Sequence, residues 1–534
     1  MDGSTATIDA DLTKAPPAWS PAPVRALNFR VWFSYAVTLV GMFMALLDVQ
    51  IVSSSLAELQ AGLSASPDEI GWVQTSYLMA EVVMIPLSGY LSRMMGTRLL
   101  FTLSALGFTL MSLACAQSES LGSMILFRAA QGFLGGAMIP TVFSVAFGLF
   151  PAEKRALVST LAGLVATMAP TLGPTIGGYL TQTLDWHWLF LINVGPGLAV
   201  ALAAWLAIDF DRPNWSLLRG FDIAGFVLMA GFLGPLEYVL EEGPRYDWLS
   251  DGTVLIAAVI GVTCGIGFFW RVFTAREPIV DLRSFTDRNF AVGTLYSFVI
   301  GIGLYGAIYL VPAYLARVKG FNSLEIGEMM AITGIFQFIS APIAGALAKK
   351  VDPRLMLGAG FVMFAVAVYI NAGLTVDWSY REFFLPQALR GFSIMLCFVP
   401  INTLALGTLP LSKLKNASGL YNLSRNLGGA IGLALINTML IDRMQFHWNR
   451  LAEGMRLSRA PVDDFITNMT AKLGDTAVGD PTLAATKRLA GLVAREAMVL
   501  SFADCLLAIA AAFILALLLL PLVRKPGQTA AGGH

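Results

Sequence analysis

WVQTSYLMAEVVMIPLSGYLSRMMGTR, residues 72 to 98, is an apolar run with one acid inside it, Glu81, and a short basic segment behind it. A helix needs roughly 20 mostly apolar residues to cross a bilayer, and this run has that size. Its tail, GYLSRMMGTR at Gly89 to Arg98, returns 256 positions later as GALAKKVDPR at Gly345 to Arg354, with glycine, leucine and basic residues matching. QGFLGGAMIP, from Gln131, likewise returns as RGFSIMLCFVP, from Arg390. Both basic segments follow an even-numbered apolar run, which implies two related six-helix halves. Many secondary transporters use such halves to alternate access around a midplane site.

Outward from that stretch, apolar runs fall near 31–56, 70–91, 99–117, 122–148, 156–181, 187–208, 221–240, 252–273, 290–315, 325–348, 354–374, 384–409, 416–441 and 499–522. Fourteen runs predict an all-α integral membrane protein with fourteen transmembrane helices. The expected organisation is a tail (1–30), a six-helix half (31–208), a two-helix linker insertion (209–275), a second six-helix half (276–523) and a short tail (524–534). The 442–497 connection is polar, and its apolar spacing suggests short amphipathic helices.

Composition agrees with a lipid environment. Of 534 residues, 56% are apolar and 13% charged, too little polar surface to clothe a soluble globule of this length. A net charge of zero argues against a nucleic-acid partner, which needs a concentrated basic field. Cys115, Cys264, Cys397 and Cys505 lie in or beside apolar runs at unrelated spacings, so they read as packing residues and not as a disulfide frame or metal site. The first 30 residues contain APPAWSPAP and lack the apolar core and cleavage site of a signal peptide. The only histidines are His187, His447 and His534, and HExxH, GxSxG and GxxxxGK[ST] motifs are missing. Enzyme chemistry and direct ATP drive therefore lack their usual signatures, and a receptor or scaffold would have no use for acids buried in apolar runs.

Charge placement predicts orientation. With the N-terminus in the cytoplasm, twenty Lys and Arg residues fall on that side, Lys14, Arg25, Arg93, Arg98, Arg276, Lys415 and Lys525 among them. The opposite short loops carry only Arg245, Arg317, Lys319 and Arg381. Positive residues stay on the cytoplasmic side, so both termini are expected there.

Several motifs together resemble the EmrB/QacA type of drug:proton antiporter, a fourteen-helix branch of the major facilitator superfamily, from about residue 35 to 523. They are the first-loop segment with Gly89, Arg93, Gly96 and Arg98; RAAQGFLGGAMIP from Arg128; and APTLGPTIGG ending at Gly178, with Pro170, Gly173, Pro174 and Gly177. WVQTSYLMAEVVMIPLSGYL and PIVDLRSFTDRNF, from Pro278, resemble the EmrB side most. The resemblance implies the major facilitator fold and export of amphiphilic toxic compounds from the bacterial inner membrane. It also implies drive by the proton gradient with no cofactor or metal, beside a periplasmic adaptor and an outer-membrane channel. One departure is Arg93, which stands where the wider superfamily has the acid of a charge lock.

Ionisable groups inside hydrocarbon cost about 2.5–3.5 kcal/mol each on insertion scales, so those that persist are functional candidates. Asp48, Glu81, Arg128 and Arg425 are the foremost. At about 1.5 Å per residue, Asp48 and Arg128 lie about 12 and 9 Å from one membrane face and Glu81 about 17 Å, so Asp48 and Arg128 can share a level. Burial disfavours a carboxylate's charge and a neighbouring arginine favours it, which is the balance that proton coupling requires; a static ion pair is the alternative. Arg390 reads as structural. Gly163, Gly173, Gly177 and Gly178 permit close helix approach, and Pro174 frees a carbonyl, which together suggest a hinge between the halves. Helix and depth place Tyr77, Tyr305, Phe336, Gln337, Asn402, Tyr421, Asn422 and Arg425 as cavity candidates. Export of a specific metabolite, such as a fatty acid, siderophore or other organic anion, is the runner-up function.

Overall fold

In the computed structural model of the chain, residues 28–275, 278–455, 459–474 and 480–524 are described. Both tails, with Lys14, Arg25 and Lys525, and the short segments holding Arg276 and Arg456 lie outside them. The described residues are helical, with short 3-10 and π turns and no strand among them. Helices are the local answer to lipid because every backbone N–H finds a carbonyl in its own segment.

In chain order the helices are α1 (Phe29–Ser54), α2 (Leu56–Gly62), α3 (Trp72–Met95), α4 (Thr97–Ala116), α5 (Leu121–Gly135), α6 (Met138–Leu149), α7 (Ala152–Thr183), α8 (Trp188–Leu191) and α9 (Val194–Ala207). Then come α10 (Ile223–Glu242), α11 (Gly252–Thr274), α12 (Arg288–Tyr314), α13 (Ser323–Leu347), α14 (Pro353–Asn371), α15 (Tyr380–Leu406), α16 (Leu411–Glu453), α17 (Ala460–Leu473) and α18 (Pro481–Ala516). Among the described residues, thirteen spans are long and apolar enough to cross a membrane on length and composition alone, α5 with α6 and α8 with α9 each forming one. The fourteenth is α3, whose 24 residues are diluted by Gln74, Thr75, Glu81 and Arg93.

Local chemistry sets several helix ends. Asn322 with Glu325 and Ser379 with Glu382 form capping boxes on α13 and α15, satisfying orphan N–H groups reciprocally. Asp222 caps α10 by accepting from the Gly225 N–H, and it also takes the Arg271 side chain of α11 at 3.0 Å. The linker pair is thereby tied into a hairpin. Two expected single runs, 122–148 and 187–208, break instead after Gly135 and Leu191.

The larger difference is the 442–497 connection. Among the described residues there, only α17 is a short amphipathic helix. Most of the other described residues belong to α16, 43 residues, and α18, 36 residues, which continue well past the apolar runs. At about 1.5 Å per residue α16 is roughly 65 Å long, about twice the hydrocarbon thickness. The apolar run stops where hydrocarbon stops, while the backbone remains helical.

Small residues hold the bundle together at related places. Gly89 of α3 meets the Lys415–Asn416 backbone of α16, and Gly345 of α13 meets Thr160 of α7; Thr160 and Asn416 are themselves 256 positions apart. Gly132 of α5 lies on the Tyr77 carbonyl of α3, and Gly391 of α15 on the Thr333 carbonyl of α13. A side chain at Gly132 or Gly391 would collide with backbone, which cannot move aside. The offset read from the repeated motifs thus recurs in the packing.

The linker helix α10 packs against α3 and α16 as well as α11. Trp72 stacks on Tyr238 with centroids 5.1 Å apart, and Thr75 donates to Glu242 at 3.0 Å. Helix α11 exposes Ile256, Val259, Val262, Ile266, Trp270 and Phe273, an apolar surface suited to lipid.

Candidate functional site

Asp48 of α1 and Arg128 of α5 form an ion pair at 2.5 Å with both side chains at 0% exposure. The rest of the carboxylate is held by neutral donors: Gln131 Nε2 reaches Oδ1 at 3.1 Å and Asn193 Nδ2 at 2.7 Å. Both amides also donate to Ser112 Oγ, each at 3.1 Å, and Ser112 donates to the Phe190 carbonyl. Arg128 Nη1 donates to Gln131 Oε1 at 2.8 Å and Nε to the Val73 carbonyl at 3.2 Å, while its guanidinium lies 4.2 Å over the Tyr77 ring. Arg128 Nη2 has no hydrogen-bond partner. Five spans of the first half therefore converge on one carboxylate. Attraction in low dielectric offsets desolvation best when the remaining lone pairs and protons are held, and among the described residues they are, except at Arg128 Nη2.

A cleft of about 670 Å³ of empty space, counting the part continuous with solvent, lies one helix layer away. Leu46, Val49 and Gln50 of α1 line it, bracketing Asp48, as do Gln74, Leu78 and Glu81 of α3. Pro170, Tyr305, Asn426 and Leu433 come from α7, α12 and α16, and Glu237 and Glu241 from the linker helix α10. Glu81 is 4% exposed, and its Oε1 has no hydrogen-bond partner. The same short stretches of α1 and α3 thus carry the ion-pair network on one face and the cleft wall on the other.

At the end of the bundle where the basic segments gather, the halves are pinned together. Lys415 Nζ of α16 pairs with Asp211 and donates to the Ser92 carbonyl at 3.0 Å. Asp211 also accepts from the Thr97 N–H at 2.9 Å and Thr97 Oγ1 at 2.9 Å, at the N-terminus of α4 where a negative charge is favoured. Gly96, at φ +80°, makes the turn that presents Thr97 to it. Arg155 donates to the Gly407 carbonyl across the halves at 3.3 Å. Arg93 lies over Tyr90 and Arg98 over Trp205. The carboxylate at this end comes from Asp211, in the segment after α9. Asp211→Asn is expected to loosen this end: in a cysteine-free background, a Ser88→Cys reporter, buried here, should react with a maleimide about tenfold faster, equivalent to roughly 1.4 kcal/mol. An unchanged labelling rate would contradict the pin.

The glycines of α7 divide their partners. Gly163 faces Phe398 of α15, across the halves, but Gly173 and Gly177 face Gln50, Ile51 and Ser54 of α1, within one half. Gly178 is buried and Pro170 and Pro174 sit inside an unbroken helix. Of Gly163, Gly173 and Gly177, Gly163 is the one at an inter-half contact.

Of the cavity candidates, Tyr305 lines the cleft. Tyr77 lies beneath Arg128, and Phe336 packs edge-on to Phe384 of α15, away from the cleft. Gln337 lines a separate small void with Thr171 and Arg390, its amide unpartnered. Asn402 accepts from Tyr421 Oη at 2.5 Å, and Asn422 donates to the Ser418 carbonyl. Arg425 is caged by Phe398 at 4.4 Å, Tyr421 at 5.0 Å and Phe143 of α6 at 5.4 Å, with Nε and Nη2 unpartnered. Arg390 donates to the Ala307 carbonyl and Thr333 Oγ1. Sequence reading missed Ser112, Gln131 and Asn193 in the network, Gln50, Gln74 and Asn426 in the cleft, and the glutamates of α10. A polar residue interrupting LFLINVGPG was the available signal for Asn193.

Comparison with known proteins follows the same lines. The model of the Major Facilitator Superfamily matches residues 38–433. The colistin resistance protein EmrB of Acinetobacter baumannii is 44% identical over 424 residues, 79% of this chain and 83% of that protein. The multidrug export protein EmrB of Escherichia coli strain K12 is 32% identical over 417 residues, 78% of this chain and 81% of that protein. Among solved structures, the proton:xylose symporter XylE superposes with a TM-score of 0.59 at 13% identity, covering 92% of this chain and 94% of that one, a likeness of fold.

Proposed function

Because this chain belongs to the EmrB-type branch of the major facilitator superfamily, we propose that it exports amphiphilic drugs in exchange for protons, with Asp48 as the coupling acid. The observation that carries the proposal is the Asp48–Arg128 pair, wholly buried yet bracketed by residues of the cleft wall. Protonating Asp48 removes the charge that holds Arg128 and leaves the guanidinium to the Val73 carbonyl, Gln131 and the Tyr77 ring. Contact between α1 and α5 then loosens, and the wall residues on the same turns move with it. Substrate entering from the other side reverses the bias. Such linkage of two ligands through one two-state element is what antiport requires.

In this reading the basic end faces the cytoplasm, both termini lie there, and the membrane is the bacterial inner membrane. The pinned end supports a state closed to the cytoplasm. The chain acts as a transporter and not as an enzyme, with the proton gradient as its energy source and no cofactor. The test is a substrate panel in a strain lacking its own pumps, with and without a proton gradient: protection against several amphiphiles that collapses with the gradient supports the reading, and protection that survives its collapse opposes it. Arg425 supports a second reading, export of an organic anion, because a caged guanidinium with two unpartnered nitrogens, beside Phe143 of the other half, suits a carboxylate or phosphate.

A periplasmic adaptor leading to an outer-membrane channel belongs to the same proposal. The extensions of α16 and α18 and the helix α17 form the surface that would meet it. Val462 and Ile466 are buried and Phe465 and Met469 line a groove with α18, whereas Phe446, Met455 and Leu483 are exposed. Replacing residues 450–490 with a short flexible linker is expected to leave insertion and substrate-stimulated proton flux intact while removing adaptor capture. Undiminished capture from membranes would show that the projection is only a flap on the transporter's own outer face.

A further inference from the structure

Helix α10 belongs to the pair inserted between the halves, yet it carries Glu237 and Glu241 on one face, a helical turn apart, into the central cleft opposite Glu81 of α3. Like charges at that spacing repel, and each charge kept from water adds its own cost. Glu237 is 6% exposed and Glu81 4%, and Glu81 Oε1 is unpartnered. Among the described residues no Lys, Arg or His lines the cleft. Arg425, next to Asn426 in sequence, points into its own aromatic cage and not into this space. The remaining wall is apolar, with Leu46, Val49, Leu78 and Leu433, and the Tyr305 ring offers a face to a cation.

We propose that Glu237 and Glu241 of the linker helix, with Glu81, are specificity-determining residues that bind the charged end of a cationic amphiphile, so that α10 is a wall of the substrate site. The assignment rests on the transport reading above and narrows it to one class of substrate. A lipophilic cation relieves the uncompensated acids and fills the apolar remainder in one step. An anion would meet three carboxyl groups, with Arg128 behind the wall already paired to Asp48.

The test uses the full-length protein in nanodiscs and measures equilibrium binding of tetraphenylphosphonium, a permanent cation with no proton of its own, beside a neutral dye, Nile red. In Glu237→Gln/Glu241→Gln, tetraphenylphosphonium affinity is expected to fall about tenfold or more, as for removal of a desolvated charge partner, while Nile red affinity stays unchanged. Glu237→Asp, which keeps the charge, should bind the cation nearly as wild type does. Equal cation binding by wild type and the double variant would overturn the proposal, as would parallel loss of both ligands or no cation binding by wild type. Gradient-driven efflux of Nile red is followed in the same variants: its persistence when cation binding is unaffected would refute the assignment and leave the transport reading standing.

Discussion

Asp48→Asn is expected to cut gradient-driven export by about a hundredfold or more, the rate equivalent of roughly 3 kcal/mol, while the protein still inserts at wild-type levels. Asparagine keeps the shape and one of the two acceptor oxygens but cannot release a proton. Gln131 and Asn193 donate to Oδ1, so an asparagine oxygen placed there keeps those two bonds, while its amide takes the place of Oδ2 beside Arg128. Exchange of labelled for unlabelled substrate at equal proton concentration on both sides should therefore continue in the variant. Asp48→Glu, which retains the acid, should restore part of the export. Undiminished substrate-driven proton movement in Asp48→Asn would remove Asp48 from the coupling role and leave the pair as static structure.

The second large effect is expected at Gly177. A Cβ there would lie 2.7 Å from Ser54 Oγ and 2.9 Å from the Ile51 carbonyl oxygen of α1. Leucine at this position forces α1 away from α7, and overpacking of this kind costs about 1–3 kcal/mol. The displaced stretch begins three residues after Asp48, so the damage falls on cycling before it falls on the cleft. Export by Gly177→Leu should drop by about tenfold or more, the rate equivalent of roughly 1.4 kcal/mol, with substrate binding within about threefold of wild type. Lost binding with normal cycling of the residual substrate would contradict this. Gly163→Leu, directed at Phe398 in the other half, should instead hinder the closing of the halves, seen as slower exchange even without a gradient.

Much of the fold was legible because hydrocarbon imposes a simple length rule on apolar runs. Helix α3 was recognisable by its length and by the segment behind it despite Glu81 and Arg93. The Asp48–Arg128 pair was legible for the complementary reason, since each charge stands out against an apolar background and the depths match. Ser112, Gln131 and Asn193 stayed hidden because small polar residues in membrane helices often bond to their own backbone, as Thr109 and Thr141 do here, and nothing in the sequence says which ones look outward. Glu237 and Glu241 sit near the end of an apolar run, where an acid ordinarily reaches water; only the packing of α10 between α3 and α16 turns them inward. The reach of α16 and α18 was missed because hydropathy marks where lipid ends and not where a helix does. Asp211 escaped notice because its partners lie on two other elements, Thr97 and Lys415, far away in sequence.

The most direct measurement of the central claim follows protons and substrate together in wild-type protein reconstituted into sealed liposomes. An imposed proton gradient should drive substrate against the proton flow, and a substrate gradient alone should drive protons the opposite way, with both movements lost on collapse of the gradients. Substrate movement that ignores the proton gradient, or protons travelling in the same direction as substrate, would contradict proton-coupled export.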